Sequence, residues 1–422
     1  MKVIVAHPAQ QHSYRLAAAL EQAGMLERYI TTVYDKPRSL TRLAARLLRG
    51  DAHEKAQGRR CPELPDDAVV QFCEGEGLLK LLAMRLPLLR RFYRPIKYHT
   101  ADRFARKVAA YAARIGADAV VCYDDCSSVL FPELERRAPE ILRIMDVSAA
   151  NVLYMREIYE RDMALQPAFA DRLRAERKIV WDPDTVARTE RELASAQLFL
   201  APSQFVAQSL EFSGITPERI RLCPYGVDAA AFAQKDYPDY TTLGRPLRFI
   251  YVGGAKELKG VSYLLQAFAA IPPEQAELTV VGAYDRSAPE LQPYLDRVTF
   301  TGSVLHSRIP ALLREADVFV FPSLGEGQSL SVLEAAAVGL PLIVSENAGV
   351  REHFADGDAG FVIPIQSDTA IREKAEWFVR HADQIPGMGR TARRTALRLT
   401  WDAYSARVRE IFEEVSAVPW GD

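Results

Sequence analysis

The second half of the chain alternates short β-branched runs with helical patterns, and this alternation constrains the fold more than any other feature. Residues 247–252, 278–281, 298–300, 318–321, 342–344 and 361–363 read as strands, and helical patterns begin at Val261, cover 309–314 and run through Leu333. Strands buried on both faces read as near-continuous apolar runs, and the helices between them make successive strands parallel, so this half forms a doubly wound α/β sheet. The first half repeats the order less clearly: strands at 3–6, 117–123, 141–145, 198–201 and 219–223, with helices over 14–23 and 204–212. A chain of 422 residues exceeds what one core supports, so two Rossmann-like domains are expected. The turn cluster Pro224-Tyr225-Gly226-Val227-Asp228 and the Pro-, Gly- and Thr-rich stretch 237–246 separate them, giving domains 1–228 and 229–395 and a terminal segment 396–422 that holds an amphipathic helix over 401–415.

Composition narrows the class. With 49% hydrophobic and 26% charged residues and a net charge of −2, the chain is globular, and no nucleic-acid partner is expected. No run is long and apolar enough to span a bilayer, and the opening Met-Lys-Val-Ile-Val-Ala-His-Pro is too short to be a signal peptide. Five cysteines, Cys61, Cys73, Cys122, Cys126 and Cys223, are an odd number without zinc-site spacing, which points to reduced thiols and a cytoplasmic location. Charge is unevenly spread, with 18 Lys and Arg against 8 Asp and Glu over 36–114. Within that stretch, 80–107 interleaves apolar residues with nine Lys and Arg and one acid. Two readings stay open: a peripheral contact with the inner membrane face, or two surface helices split at Pro87 with solvated arginines.

The chemistry is concentrated in 317–349. A buried strand ends at Pro322-Ser323, a loop of small residues follows, and a helix begins close to Ser329. Unpaired N–H groups and the positive dipole end at such a helix start suit a phosphate. Glu326 and Glu334 flank the start with seven residues between them, and carboxylates accept hydrogen bonds from vicinal hydroxyls, as a sugar and a ribose would offer. Taken alone, the same residues also fit a structural role, with Ser331 and Glu334 as a capping box and Glu326 as a solvated loop acid.

This segment resembles the Glu-x7-Glu motif of family 4 (group 1) glycosyltransferases. Neighbouring stretches agree in order: Glu190 through Pro202-Ser203, the Pro-Tyr-Gly-Val-Asp cluster, Val252-Gly253 leading to Lys259-Gly260, Val281-Gly282, 300–304 and Trp401. The similarity covers roughly 185–415. It implies a GT-B fold of two facing domains, with the terminal helix crossing back to the first. It further implies a retaining, metal-independent hexosyltransferase without a cofactor. A sugar would pass from a UDP- or GDP-linked donor to a hydroxyl of a saccharide or lipid-linked acceptor, in envelope or exopolysaccharide synthesis. In such an enzyme Glu334 would bind the ribose, Glu326 the transferred sugar, and the backbone around Gln328, Ser329 and Leu330 the distal phosphate, with Gly327 also on the donor side. Lys259 would neutralise the leaving diphosphate, and Gly302 to Val304 would meet the base.

Two positions depart from the family pattern. Gln328-Ser329 stands where many members have Phe-Gly, and Gly254 where many have Arg. Lys256 could substitute for that arginine, or the Gly253-Gly254 pair could bring backbone N–H groups to the phosphate. In the first domain the loop after the opening strand, with Gln11 and His12, and the residues after later strands, Asp124, Asp125, Asp146, Ser148 and Asn151, are the acceptor-side candidates. His12 fits a catalytic contact or a helix-capping neighbour. Three other readings compete: a dinucleotide oxidoreductase, disfavoured because 252–254 does not continue as Gly-x-Gly-x-x-Gly; a phosphorylase or epimerase on the same fold; and a non-catalytic sugar-binding relative.

Overall fold

The computed structural model describes residues 1–9, 12–46, 58–124, 126–354 and 356–417. Two parallel sheets organise them. The first comprises β1 (Val3–His7), β2 (Leu26–Thr31), β3 (Val69–Gln71), β4 (Ala119–Tyr123), β5 (Leu142–Asp146), β6 (Leu198–Ala201) and β7 (Ile220–Leu222), in the order β3-β2-β1-β4-β5-β6-β7. The second comprises β8 (Leu247–Val252), β9 (Ala276–Val281), β10 (Thr299–Gly302), β11 (Val318–Phe321), β12 (Leu342–Ser345) and β13 (Gly360–Ile363), in the order β10-β9-β8-β11-β12-β13.

In each sheet the strand order reverses direction once, between β1 and β4 in the first and between β8 and β11 in the second. Connecting helices part on either side of such a point, leaving a crevice beyond the carboxyl ends of the two strands. The loops after β1 and β4 carry His12 and Asp124, and those after β8 and β11 carry Gly253 to Lys259 and Pro322 to Leu330. Topology alone thus selects these four loops. β4, β5, β6 and β11 are buried at every position, as expected for strands covered on both faces.

The chain passes between lobes at 224–228 and returns at 399–401. These passages touch: the Val227 N–H donates to the Leu399 carbonyl at 2.8 Å, and Val227 bridges Thr400. Gly226 lies so close that a β-carbon there would strike the Thr400 carbonyl and the Trp401 nitrogen. The returning helix Trp401–Ser416 packs on the first lobe, its Tyr404, Val408, Ile411 and Phe412 sharing a core with Leu16 and Leu20 of the helix Ser13–Gln22.

Candidate functional site

The helix Leu330–Val338 opens beyond β11 with Ser329 as its cap, and the cap side chain accepts no backbone N–H. Its first internal bond is Leu333 N–H to the Ser329 carbonyl, so Leu330, Ser331 and Val332 have no helical acceptor for their N–H groups. Ser329 itself donates to the Ala348 carbonyl at 3.1 Å, so the open N–H groups are those of Leu330 to Val332, two residues further on than the Gln328 to Leu330 stretch the sequence suggested. The capping box of Ser331 and Glu334 does not form, because the helix starts two residues earlier. Ser331 meets Ser329 hydroxyl to hydroxyl at 3.1 Å, and Glu334 instead pairs with His306 at 2.9 Å.

Lys259 and Glu326 form an ion pair across this crevice. Glu326 also accepts the Ser323 hydroxyl at 2.7 Å, and its N–H donates to the Asn347 carbonyl at 3.0 Å. Lys259 ends a short turn, Glu257–Lys259, that is closed by Gly260 at a φ of 71°. A β-carbon at Gly260 would collide with the Pro322 carbonyl, so the Lys-Gly step is what lets the lysine lie against the end of β11. The turn's other end is held from the first lobe, where the Glu176 carboxylate accepts the N–H groups of Glu257 at 3.3 Å and Leu258 at 3.1 Å.

Glu334 is mostly buried, which raises its carboxyl above the ordinary range against the opposing pull of exposed His306. His306 follows the stretch Gly302 to Val304 and thereby ties it to the helix; Gly302 has a φ of 74° and accepts the Gly282 N–H at 3.1 Å, while Val304 packs partly on the core. Gly253 donates to Val281 at 2.9 Å, and the Gly254 carbonyl accepts the Tyr251 hydroxyl at 2.9 Å. Lys256 is exposed on the wall of a groove of about 1190 Å³ that it shares with Tyr284 and Arg172. Arg172 reaches over from the first lobe, bonding the Ala255 carbonyl and pairing with Glu290 at 2.7 Å.

The opposite wall belongs to the first lobe. His12 Nε2 lies 3.2 Å from Asp146 Oδ2 and 3.1 Å from the Tyr225 hydroxyl. Burial alone would lower the His12 pKa, but the Asp146 carboxylate outweighs it and the net shift is upward. Asp124 accepts both the N–H of Ser148, at 3.0 Å, and its hydroxyl, and burial raises its carboxyl. Asn151 caps the helix Val152–Leu165 by accepting the Leu153 N–H at 2.8 Å, which gives it a structural task. Gln11 and Asp125 lie outside the described residues.

The two walls meet at Gly327. A β-carbon there would strike the Ser148 carbonyl, and the Gly327 carbonyl accepts the Ser203 hydroxyl at 2.5 Å. Next to it, the Gln328 amide takes the Tyr225 N–H at 2.5 Å. Lys259, Glu326 and Gly327 therefore stand at one junction with Ser148, and through Tyr225 the junction extends to His12; Glu334 marks the far end of the helix start.

Residues 246–381 match the model of the glycosyl transferases group 1 family. This stretch is a group 1 glycosyltransferase domain. Among curated proteins, the phosphatidyl-myo-inositol mannosyltransferase of Mycolicibacterium smegmatis is 28% identical over 200 residues, covering 46% of this chain and 51% of that protein. The chain spans about half the length of the curated relatives it matches. Among solved structures, sucrose-phosphate synthase from Thermosynechococcus elongatus superposes with a TM-score of 0.67 at 19% identity, over 99% of both chains. Anabaena HepE in complex with UDP gives 0.61 at 15% identity over 99% of this chain and all 100% of that one. The whole described fold is thus GT-B, including the first lobe, where the group 1 family model does not reach.

Several residues that build this candidate site carry no sequence signal of their own. Glu176, Arg172, Asn347 and His306 act through contacts distant in the chain. Ser203 and Tyr225 stand inside stretches that resemble the family, and their positions in Pro-Ser and Pro-Tyr-Gly could have marked them.

Proposed function

We propose that the chain is a retaining family 4 glycosyltransferase. It moves a sugar from a UDP- or GDP-linked donor to a hydroxyl of a saccharide or lipid-linked acceptor, in the synthesis of envelope or extracellular glycans. The observation that carries the reading is the Lys259–Glu326 pair beside an open helix start, at the strand-order reversal of the second sheet and against the first lobe.

In this reading the donor lies along the start of the helix Leu330–Val338. Its ribose meets Glu334, its distal phosphate the N–H groups that begin at Leu330, and its sugar Glu326. Lys259 turns from Glu326 to the diphosphate, a fixed cation aimed at charge that grows as the anomeric bond breaks. The acceptor oxygen bonds the anomeric carbon on the face the diphosphate leaves, and the departing phosphate oxygen takes the acceptor's proton. Neither metal nor organic cofactor enters this scheme. His12, Asp124, Asp146 and Ser148 stand on the acceptor side, with His12 held by Asp146 and Tyr225 to face the incoming hydroxyl.

A peripheral membrane contact belongs to the same reading. Leu79, Leu82, Met84, Leu86, Leu88 and Phe92 are exposed, Leu88 at 87%, and Arg85, Arg90 and Arg91 are exposed among them. Apolar side chains amid arginines match an anionic lipid surface. No helix among the described residues is long and apolar enough to cross a membrane.

The test is nucleotide release from UDP- and GDP-sugars without acceptor. Release by the native chain, lost in Lys259→Ala and Glu326→Ala with circular dichroism unchanged, is the expected outcome. Absence of release and of nucleotide binding overturns the reading.

A further inference from the structure

The turn that carries Lys259 does not hold itself. Glu257–Lys259 is a three-residue helical piece, and Lys256 at its head offers no side-chain acceptor to the first N–H groups. Internal bonds run from the Lys259 N–H to the Lys256 carbonyl at 3.0 Å and from the Gly260 N–H to the Glu257 carbonyl at 2.7 Å. The N–H groups of Glu257 and Leu258 are left without an acceptor inside the turn, and so short a piece is unstable on its own.

Glu176 of the first lobe takes both. One carboxylate oxygen accepts the Glu257 N–H at 3.3 Å, and the other accepts the Leu258 N–H at 3.1 Å. Leu258 passes the hold on, since its carbonyl accepts the Leu324 N–H at 3.2 Å, in the loop that leads to Glu326. Arg172, one helical turn before Glu176, gives its Nε–H to the Glu176 carboxylate at 3.2 Å. The same guanidinium pairs with Glu290 at 2.7 Å and bonds the Ala255 carbonyl just ahead of the turn. Its rigid fork thus fixes both the direction of the carboxylate and the path of the chain that approaches it.

The helix that bears the two residues, Pro167–Glu176, is seated on the second lobe. Its Phe169 and Leu173 are buried in one core with Leu264, Leu265 and Phe268 of the helix Val261–Ala269, which follows directly on Lys259-Gly260. Gln166, at the head of Pro167–Glu176, exchanges amide bonds with Gln266 of that second helix at 3.1 and 2.8 Å. Asp171 and Arg174 pair with each other in solvent, on the side turned away from Lys259.

We infer that Glu176 is a positioning residue for Lys259, oriented by Arg172. The carboxylate sets where the turn sits, and the turn sets how the lysine ammonium stands towards the leaving diphosphate. The inference rests on the transferase reading of Lys259. In that reading the ion pair with Glu326 ceases to hold the ammonium once it turns to the diphosphate, and from then on the backbone alone limits its reach. A displacement of about 1 Å costs about 10²-fold in rate, and loss of the carboxylate frees two consecutive N–H groups next to the lysine.

A double-mutant cycle with Lys259→Met tests this, read as nucleotide release from UDP- and GDP-sugars by the full chain over a range of donor concentrations. Glu176→Ala is expected to lower kcat about tenfold or more, with a smaller change in KM. In the Lys259→Met background the same change should cost about twofold or less, because the group it positions is gone. Glu176→Gln keeps one of the two acceptor oxygens and should fall between the native chain and Glu176→Ala; if Glu176→Ala does not fold, Glu176→Gln carries the cycle. Arg174→Ala, on the solvent side of the same helix, should leave kcat unchanged. Equal fold-losses in both backgrounds, or an unchanged kcat in Glu176→Ala with circular dichroism intact, overturn the inference while the transferase reading stands. A native chain that neither binds nor releases nucleotide overturns that reading and the inference with it.

Discussion

The side-chain amide of Gln328 holds both backbone polar groups of Tyr225, accepting its N–H at 2.5 Å and donating to its carbonyl at 3.4 Å. Tyr225 lies where the chain leaves the first lobe, and its hydroxyl touches His12, so one glutamine of the loop after β11 positions a histidine of the first lobe. Here the departure from the family pattern at 328 has a structural use. Replacing Gln328 by Ala leaves a buried N–H unpaired, a loss of about 1–3 kcal/mol. Chemical denaturation should show that destabilisation, and kcat should fall with it while nucleotide affinity holds.

Gly327→Ala tests the contact between the walls. The added carbon meets the Ser148 carbonyl, a backbone atom that cannot rotate away. The lobes are expected to part, with a larger radius of gyration in small-angle scattering and nucleotide release reduced about tenfold or more, as misplacement of reacting groups costs.

Lys259 is expected to act on the transition state rather than on binding alone. Lys259→Met should lower kcat by about 10²–10³, the usual effect of removing a preorganised charge, with a smaller change in KM. Steady-state kinetics with a UDP- or GDP-sugar measures both.

At Gly254 there is room for the arginine that many family members carry. A β-carbon there makes only ordinary contacts, at 3.6 Å to the Lys256 side chain. Gly254→Arg should therefore fold with an unchanged melting temperature and bind nucleoside diphosphate more tightly, which calorimetry would detect.

The lobes also share a buried acid pair. Asp162, on the helix Val152–Leu165, accepts the Tyr263 hydroxyl at 2.9 Å, and Glu257 accepts the Ser262 hydroxyl at 2.5 Å. Burial raises both carboxyls, and the nearby Asp162 charge raises Glu257 further. An acid whose pKa is higher folded than unfolded binds its proton more tightly in the native state. Stability is then greatest at the acid end and falls as pH rises from about 4, the unfolded value, through the raised ones. Asp162→Asn should flatten that fall in melting temperature between pH 5 and 8.

The second sheet was legible because β11 is apolar throughout and β8 is interrupted only by Arg248, and because Lys259, Glu326 and Glu334 stand in an ordered set of short patterns. β2 was not, since Leu-Glu-Arg-Tyr-Ile-Thr opens with two charges on half-exposed positions, and β3 has three residues only. The use of the Ser329 N–H by Ala348, the Glu176 cap on the Lys259 turn and the Gln328 clamp depend on chain crossings that no local pattern encodes. The basic stretch 80–107 read as one surface, because periodicity cannot say that Lys80 and Lys97 face inward while the arginines face out.

Gly226 and Val227 lie against Leu399, Thr400 and Trp401, so the outgoing and returning segments form one strap. The strap is one tether among several, because Arg172 and Glu176 grip the turn before Lys259 and Ser203 holds Gly327. A bulkier residue at 226 would wedge the tether apart at a point remote from every reacting atom, and the strain would reach the crevice only through those other grips.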